Sequence, residues 1–304
     1  MITPRMLPGL RQDLVSWYEG GESVARFAAH IPTSTTEATA VARRHRATAA
    51  AAELYFVNGD MTDLAVTIGR GLDTYAVTSE DLPSDQGLLV WGKRPESFRV
   101  DGVTGQPCAV TWTAVADRIE VTLYDHVPTT TPGGRAAHAA VWGRTAPDLS
   151  QLWETTLRAD GRKRPWVVLE DAEDSHQVAR TLLATWLLIR QPADARKALH
   201  DIEEVAAPRS AQKHIARGGG DPTRTVRYVT LRQSLRPTSD SNAGSGHAGK
   251  IYKHRWFVRP HRANQYYPSA GEHRKIWRGP YLVVPVGCED APILGGDRVN
   301  VLRR

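Results

Sequence analysis

GLLVWGK (87–93), ESFRVDG (96–102), CAVTWTAV (108–115) and RIEVTLYD (118–125) are four short runs whose reading decides the fold. Each is rich in β-branched and aromatic residues, which suit a pleated, half-buried surface. Turn formers bound them: Pro83, Gly92, Pro95, Gly102, Gly105 and Pro107. In the third run Val110, Trp112 and Ala114 alternate with Thr111, Thr113 and Val115, which predicts a sheet with one face more buried. HAAVWGR (138–144) and PWVVLED (165–171) predict two further strands, and TTTPGGR (129–135) a loop.

A helix to cover that sheet is predicted over 175–191. Ser175 is a candidate N-cap, and Val178, Leu182, Thr185 and Ile189 recur at helical spacing. Leu183, Trp186 and Leu187 widen the apolar stripe, and Pro192 ends it. The first 70 residues read as helical. Thr35 or Thr36 would cap a helix through EATAVARRHRATAAAAELYFV, where alanine favours helix, and a second would cover 61–70. Arg43, Arg44, His45 and Arg46 are consecutive helical positions that point in different directions, so they read as a solvated face.

On the other side, residues 193–224 run from a charged segment through RSAQKHIAR to GGGDP and read as a boundary, because three glycines disfavour regular structure. TVRYVTLRQ (225–233), IYKHRWFVR (251–259), the stretch 273–286 and RVNVLRR (298–304) predict a third group of strands, with a loop at 237–250. The expected fold is α+β: N-terminal helices, a central, mostly antiparallel sheet packed by an amphipathic helix, and a small basic antiparallel C-terminal sheet. The expected division is a mildly acidic body at 1–200, a basic, Gly-rich linker at 201–224 and a basic β unit at 225–304.

Charge separates along the chain. Residues 209–304 hold 18 Lys/Arg against 6 Asp/Glu, a net of +12, whereas the preceding 208 residues carry −6. A basic third on an acidic body points to a polyanion partner. Only Cys108 and Cys288 are present, too few for a disulfide framework or an all-cysteine zinc site. His138, His176 and His200 are scattered, and the acids at 170–174 precede a helix start, where they suit the dipole. No metal and no cofactor is expected. No apolar run reaches membrane length and the N-terminus lacks a signal-peptide core, so a cytoplasmic protein with no membrane partner is expected.

The densest patch is KIYKHRWFVRPHRANQYYPSAGEHRKIWR (250–278), with eight Lys/Arg, three His, six aromatics and one acid, Glu272. Arginine forks match phosphate oxygens, and Tyr and Trp offer faces for unstacked bases. Asn and Gln read base edges. Lys250, Lys253, Arg255, Asn264, Gln265, Tyr266, Tyr267, Lys275, Trp277 and Arg278 are therefore the candidate nucleic-acid contacts. His254, His261 and His273, with Arg259, Arg262 or Arg274, would supply the base, acid and cation of metal-free RNA cleavage. Period two places Tyr252, His254 and Trp256 on one face. If 252–259 pairs with 273–278, the histidines approach a row of guanidinium groups, with His261 and Arg262 on the loop between. RNA is slightly favoured over DNA. The alternative is a non-catalytic regulator that meets a protein partner through the N-terminal part.

LPSDQGLLVWGKRP, ARTLLATWLLIRQP, TVRYVTLR and HRWFVRPHRANQYYPSAGEHRKIWRGPYLVV resemble proteins of actinobacterial mobile elements, phages and plasmids. That family shares W-x-V-R-G-H-W-R-x-Q, then H-R-x-I-W-I-x-P, then K-G-P near the C-terminus. The resemblance covers roughly 83–304 and implies a location more than a chemistry. Here Pro260 stands where glycine is usual, Arg262-Ala263-Asn264 replaces W-R-x, and Val284-Pro285-Val286 replaces K-G-P. A small twisted sheet bearing His and Arg is also similar in architecture to RelE- or barnase-like ribonucleases.

Overall fold

The fold is α+β and is known from a computed structural model. It describes residues 2–30, 34–70, 72, 81–95, 97–100, 103–115, 118–126, 136, 138–140, 146–158, 174–190, 200–231, 255–258, 261–267, 271–278, 281–283, 285 and 293–294. Three N-terminal helices, α1 (Leu7–Glu19), α2 (Gly21–His30) and α3 (Thr35–Ala51), precede strand β1 (Glu53–Val57) and helix α4 (Gly59–Arg70). Then come β2 (Gln86–Trp91), a small hairpin of β3 (Phe98–Val100) and β4 (Val103–Gly105), β5 (Ala109–Val115), β6 (Arg118–His126) and β7 (Leu149–Arg158). Helix α5 (Asp174–Ile189), β8 (His200–Ala206), helix α6 (Arg209–Arg217) and β9 (Thr225–Leu231) complete the body.

Seven strands form one sheet in the order β7-β6-β5-β2-β1-β9-β8. Strand β1 is parallel to β2 and to β9, and every other neighbouring pair is antiparallel. Helices cover both faces. Tyr55, Trp91, Val110, Trp112 and Val121 pack with Met61 and Ala65 of α4 and with Leu182 and Trp186 of α5. The alternate residues Leu54, Phe56, Leu88, Val90 and Ala109 pack with Leu14 of α1 and Ala42 of α3. Trp112 and Trp186 meet edge to face with centroids 5.3 Å apart, and Trp91 Nε1 donates to Thr185 Oγ1 at 3.3 Å. Gly87 lies opposite Trp112 in the β2–β5 register. A Cβ there would come within 2.1 Å of the indole, so the ring occupies the space a side chain would need.

Several expectations change. ELYFV is not the end of a helix: α3 stops at Ala51 and β1 runs down the middle of the sheet. Both faces of β1 are covered, so its apolar residues run continuously instead of alternating. Ser34, not Thr35 or Thr36, caps α3: its hydroxyl accepts from Glu37 N at 3.2 Å while the Glu37 carboxylate accepts from Ser34 N at 2.9 Å, a capping box. Of residues 96–102, Phe98–Val100 form β3, which pairs with β4, and residues 138–140 are helical instead of extended. Ser175 lies inside α5, which has begun by Asp174, and the predicted stripe from Val178 to Ile189 is buried. PWVVLED (165–171), TTTPGGR (129–135), 237–250 and 298–304 lie outside the described residues.

Residues 201–224 do not form a linker. Strands β8 and β9 belong to the main sheet, and α6 joins them while packed on α1. Gln12 Nε2 donates to the Gly218 carbonyl at 3.1 Å, and His214 Nε2 lies 2.8 Å from Asp13 Oδ1. The glycines allow this seat: a Cβ at Gly218 or Gly220 would come within 2.3 Å of the Gln12 amide, and Gly219 takes φ +74°. The main sheet therefore continues to Leu231, through the start of the basic third.

Candidate nucleic-acid interface

Beyond β9 the described chain forms β10 (Arg255–Val258), β11 (His261–Tyr267), β12 (Glu272–Arg278), β13 (Tyr281–Val283) and β14 (Ile293–Leu294). The predicted pairing of 252–259 with 273–278 is replaced by a different one. Strand β10 pairs with β13 and β14, whereas β12 pairs with β11. The stretch predicted as a loop, HRANQYY, is thus a strand. Pro260 separates it from β10, and the chain returns through Gly271, whose φ of +63° is costly for any residue with a Cβ.

The result is a two-stranded antiparallel ribbon with seven cross-strand pairs. His261 faces Arg278, Arg262 faces Trp277, Ala263 faces Ile276, Asn264 faces Lys275, Gln265 faces Arg274, Tyr266 faces His273 and Tyr267 faces Glu272. Directly paired residues share a face, and the faces alternate along a strand. One face therefore carries Arg262, Asn264, Tyr266, His273, Lys275 and Trp277, with no acid and no aliphatic residue. The other carries His261, Gln265, Tyr267, Arg274 and Arg278, together with Ala263, Ile276 and Glu272. Tyr266 is 51% exposed, and its ring centroid lies 5.0 Å from that of His273 at a tilt of 46°. A half-exposed ring beside an imidazole offers a flat surface to a planar ligand.

This register also separates the candidate catalysts. His261 and Tyr266, the partner of His273, are five positions apart, about 17 Å at strand rise, and an odd step places the two histidines on opposite faces. They cannot act as acid and base on one phosphate within a chain. Arg262 shares the face of His273, whereas Arg274 does not. Arg255 lies in β10, outside the ribbon, and His254, Arg259, Lys250 and Lys253 lie outside the described residues. Trp256 of β10, half-buried, pairs with Val283 and Leu294.

Elsewhere, at the edge of the core, ionisable groups are tied to one another. Arg227 Nη1 donates to the Tyr55 hydroxyl at 2.8 Å and lies 2.6 Å from Glu53. Burial pushes the Tyr55 phenol up to about 12. Cys108 is buried and its thiol is likewise pushed up to about 12, so this residue is not a nucleophilic thiolate near neutrality. Among the described residues no group of three or more His, Cys, Asp or Glu is placed to hold a metal, and no helix is long and apolar enough to cross a membrane. The residues singled out from the sequence omit Arg209, Lys213 and Arg217, three exposed cations on α6 whose i, i+4, i+8 spacing is legible without a structure.

No protein-family model matches the chain, and no curated protein is significantly similar to it. A solved structure titled "Crystal structure of AcrVA2" is similar over 91% of this chain and 93% of that one, with 13% sequence identity and a TM-score of 0.35.

Proposed function

We propose that the chain is a cytoplasmic nucleic-acid-binding protein of mobile-element type that holds its ligand on the acid-free face of the β11–β12 ribbon. The observation that carries the reading is the register, which gathers Arg262, Asn264, Tyr266, His273, Lys275 and Trp277 on one face. Cations there would meet phosphates, the rings would stack on bases, and Asn264 would reach a base edge. Stacking needs an unpaired base, so a single strand is the favoured form, with RNA ahead of DNA. The reading is of a binder and not a nuclease, because His261 and His273 stand on opposite faces.

The test is fluorescence anisotropy with labelled single-stranded RNA, single-stranded DNA and duplexes across a salt series. Affinity should fall steeply with salt, because each neutralised phosphate releases counterions. Salt-independent binding, or any cleavage of the RNA by the wild type in EDTA, would contradict the reading. Absence of binding, with a protein captured by the chain after nuclease treatment, would replace it with an interaction module.

A further inference from the structure

Helix α6 has the sequence RSAQKHIAR, with four basic side chains if His214 is counted and no acid. It is held firmly on the body. Ile215 is 0% exposed, Gln212 Nε2 donates to the Ala207 carbonyl at 2.9 Å, and Gln12 is wedged against the glycines that follow. The side toward the body is Ala211, Gln212 and Ile215, all at least partly covered. Arg209, Lys213 and Arg217 lie on the opposite side and are exposed.

Two features set this row apart from an ordinary solvated face. First, the three cations stand in one row and none has an ion-pair partner among the described residues; Arg44 pairs with Glu120, Arg46 with Glu19, Lys93 with Asp63 and Arg227 with Glu53, and the other exposed, unpaired arginines, Arg5 and Arg43, stand singly. Secondly, Arg209 stands at the first helical position, with no acid in the first turn and no side-chain cap. A cation is unfavourable at that positive end of the helix dipole, so helix stability does not account for it. Successive members of the row are four residues apart, about 6 Å along the axis. That is comparable to the separation of successive phosphates on a polynucleotide strand.

We propose that Arg209, Lys213 and Arg217 form a second contact surface of the protein, one that binds the phosphate backbone of a nucleic acid without reading its bases. The proposal rests on the nucleic-acid reading of the ribbon but concerns a different element. The row has no aromatic or amide group on it, so it adds affinity and position while the ribbon carries base contact.

The experiment compares the full-length protein with its R209Q/K213Q/R217Q variant by anisotropy on the same labelled single-stranded RNA and on a DNA duplex, between low and moderate salt. Each lost phosphate contact lowers the slope of log affinity against log salt by roughly 0.7 to 0.9, so the variant should lose roughly two to three from the slope. The loss should appear on every sequence tested. A thermal melt accompanies the titration, and R209K/R217K, which keeps the charge, should retain the wild-type slope even if the triple variant melts early. An unchanged slope in a folded triple variant would overturn the proposal while leaving the ribbon reading intact. No binding of either ligand by the wild type would overturn both. Binding of labelled poly-glutamate by a wild type that binds no oligonucleotide, lost in the triple variant, would assign the row to an acidic protein instead.

Discussion

Strands β5 and β11 are both seven residues long, but they use their side chains in different ways. In β5, AVTWTAV, Val110 and Trp112 are fully buried and Thr111 nearly so, each against helices or neighbouring strands. In β11, HRANQYY, a single aliphatic residue is present and Tyr266 is half exposed. A two-stranded ribbon is marginal by itself and gains little from such residues. Packing therefore explains the buried residues of β5 and does not explain the half-exposed ring of Tyr266. On the proposed reading, the seven-stranded body carries the stability and the ribbon the recognition.

The strongest attempt to break that contrast is in the core. Trp186→Ala removes a 0% exposed indole from between α5 and the sheet and should cost about 3–5 kcal/mol by urea unfolding. A loss below about 1 kcal/mol would mean the sheet is not held by this layer. Gly87→Ala sets a methyl group against the Trp112 ring, 2.1 Å from its nearest carbon. The same unfolding titration should show a loss of about 1–3 kcal/mol from overpacking. Ser34→Ala removes one half of the capping box and should lower stability by about 1 kcal/mol.

The body also has a pH dependence of its own. His138 is 7% exposed, and burial holds its imidazole below the ordinary value of 6.5 despite the opposing pull of Asp148. Burial likewise lowers His126. The unfolded chain binds protons at these positions more readily than the folded one. Their contribution is complete above pH 6.5 and is lost as pH falls through the depressed values. Thermal midpoints should decline between about pH 7 and 5, and His138→Gln should flatten that decline.

How much of this was legible in the sequence depends on whether a segment has one buried face. Strands β5 and β6 and helix α5 could be read because their apolar residues recur with period two or 3.6. ELYFV was hidden because it is buried on both sides and follows an alanine-rich helix, so neither period marks the change. HRANQYY has no apolar rhythm at all. Its extended form comes from pairing with EHRKIWR around Gly271, a non-local fact. Composition alone pointed to the residues of the candidate interface, but parity along one strand could not show which of them share a face. That needed the identity of the pairing strand, and the wrong choice joined β10 to β12 and brought the histidines together. The linker was misplaced for a similar reason: of three glycines that looked like a break, Gly218 and Gly220 make room for the Gln12 side chain.

The most direct test of the division between body and ribbon is a paired measurement on R262A/K275A. Urea unfolding and single-stranded RNA affinity are read from the same preparation. Affinity should fall by roughly tenfold or more while the unfolding midpoint stays at the wild-type value. Unchanged affinity, or a midpoint that falls together with it, would contradict the assignment of recognition to the ribbon.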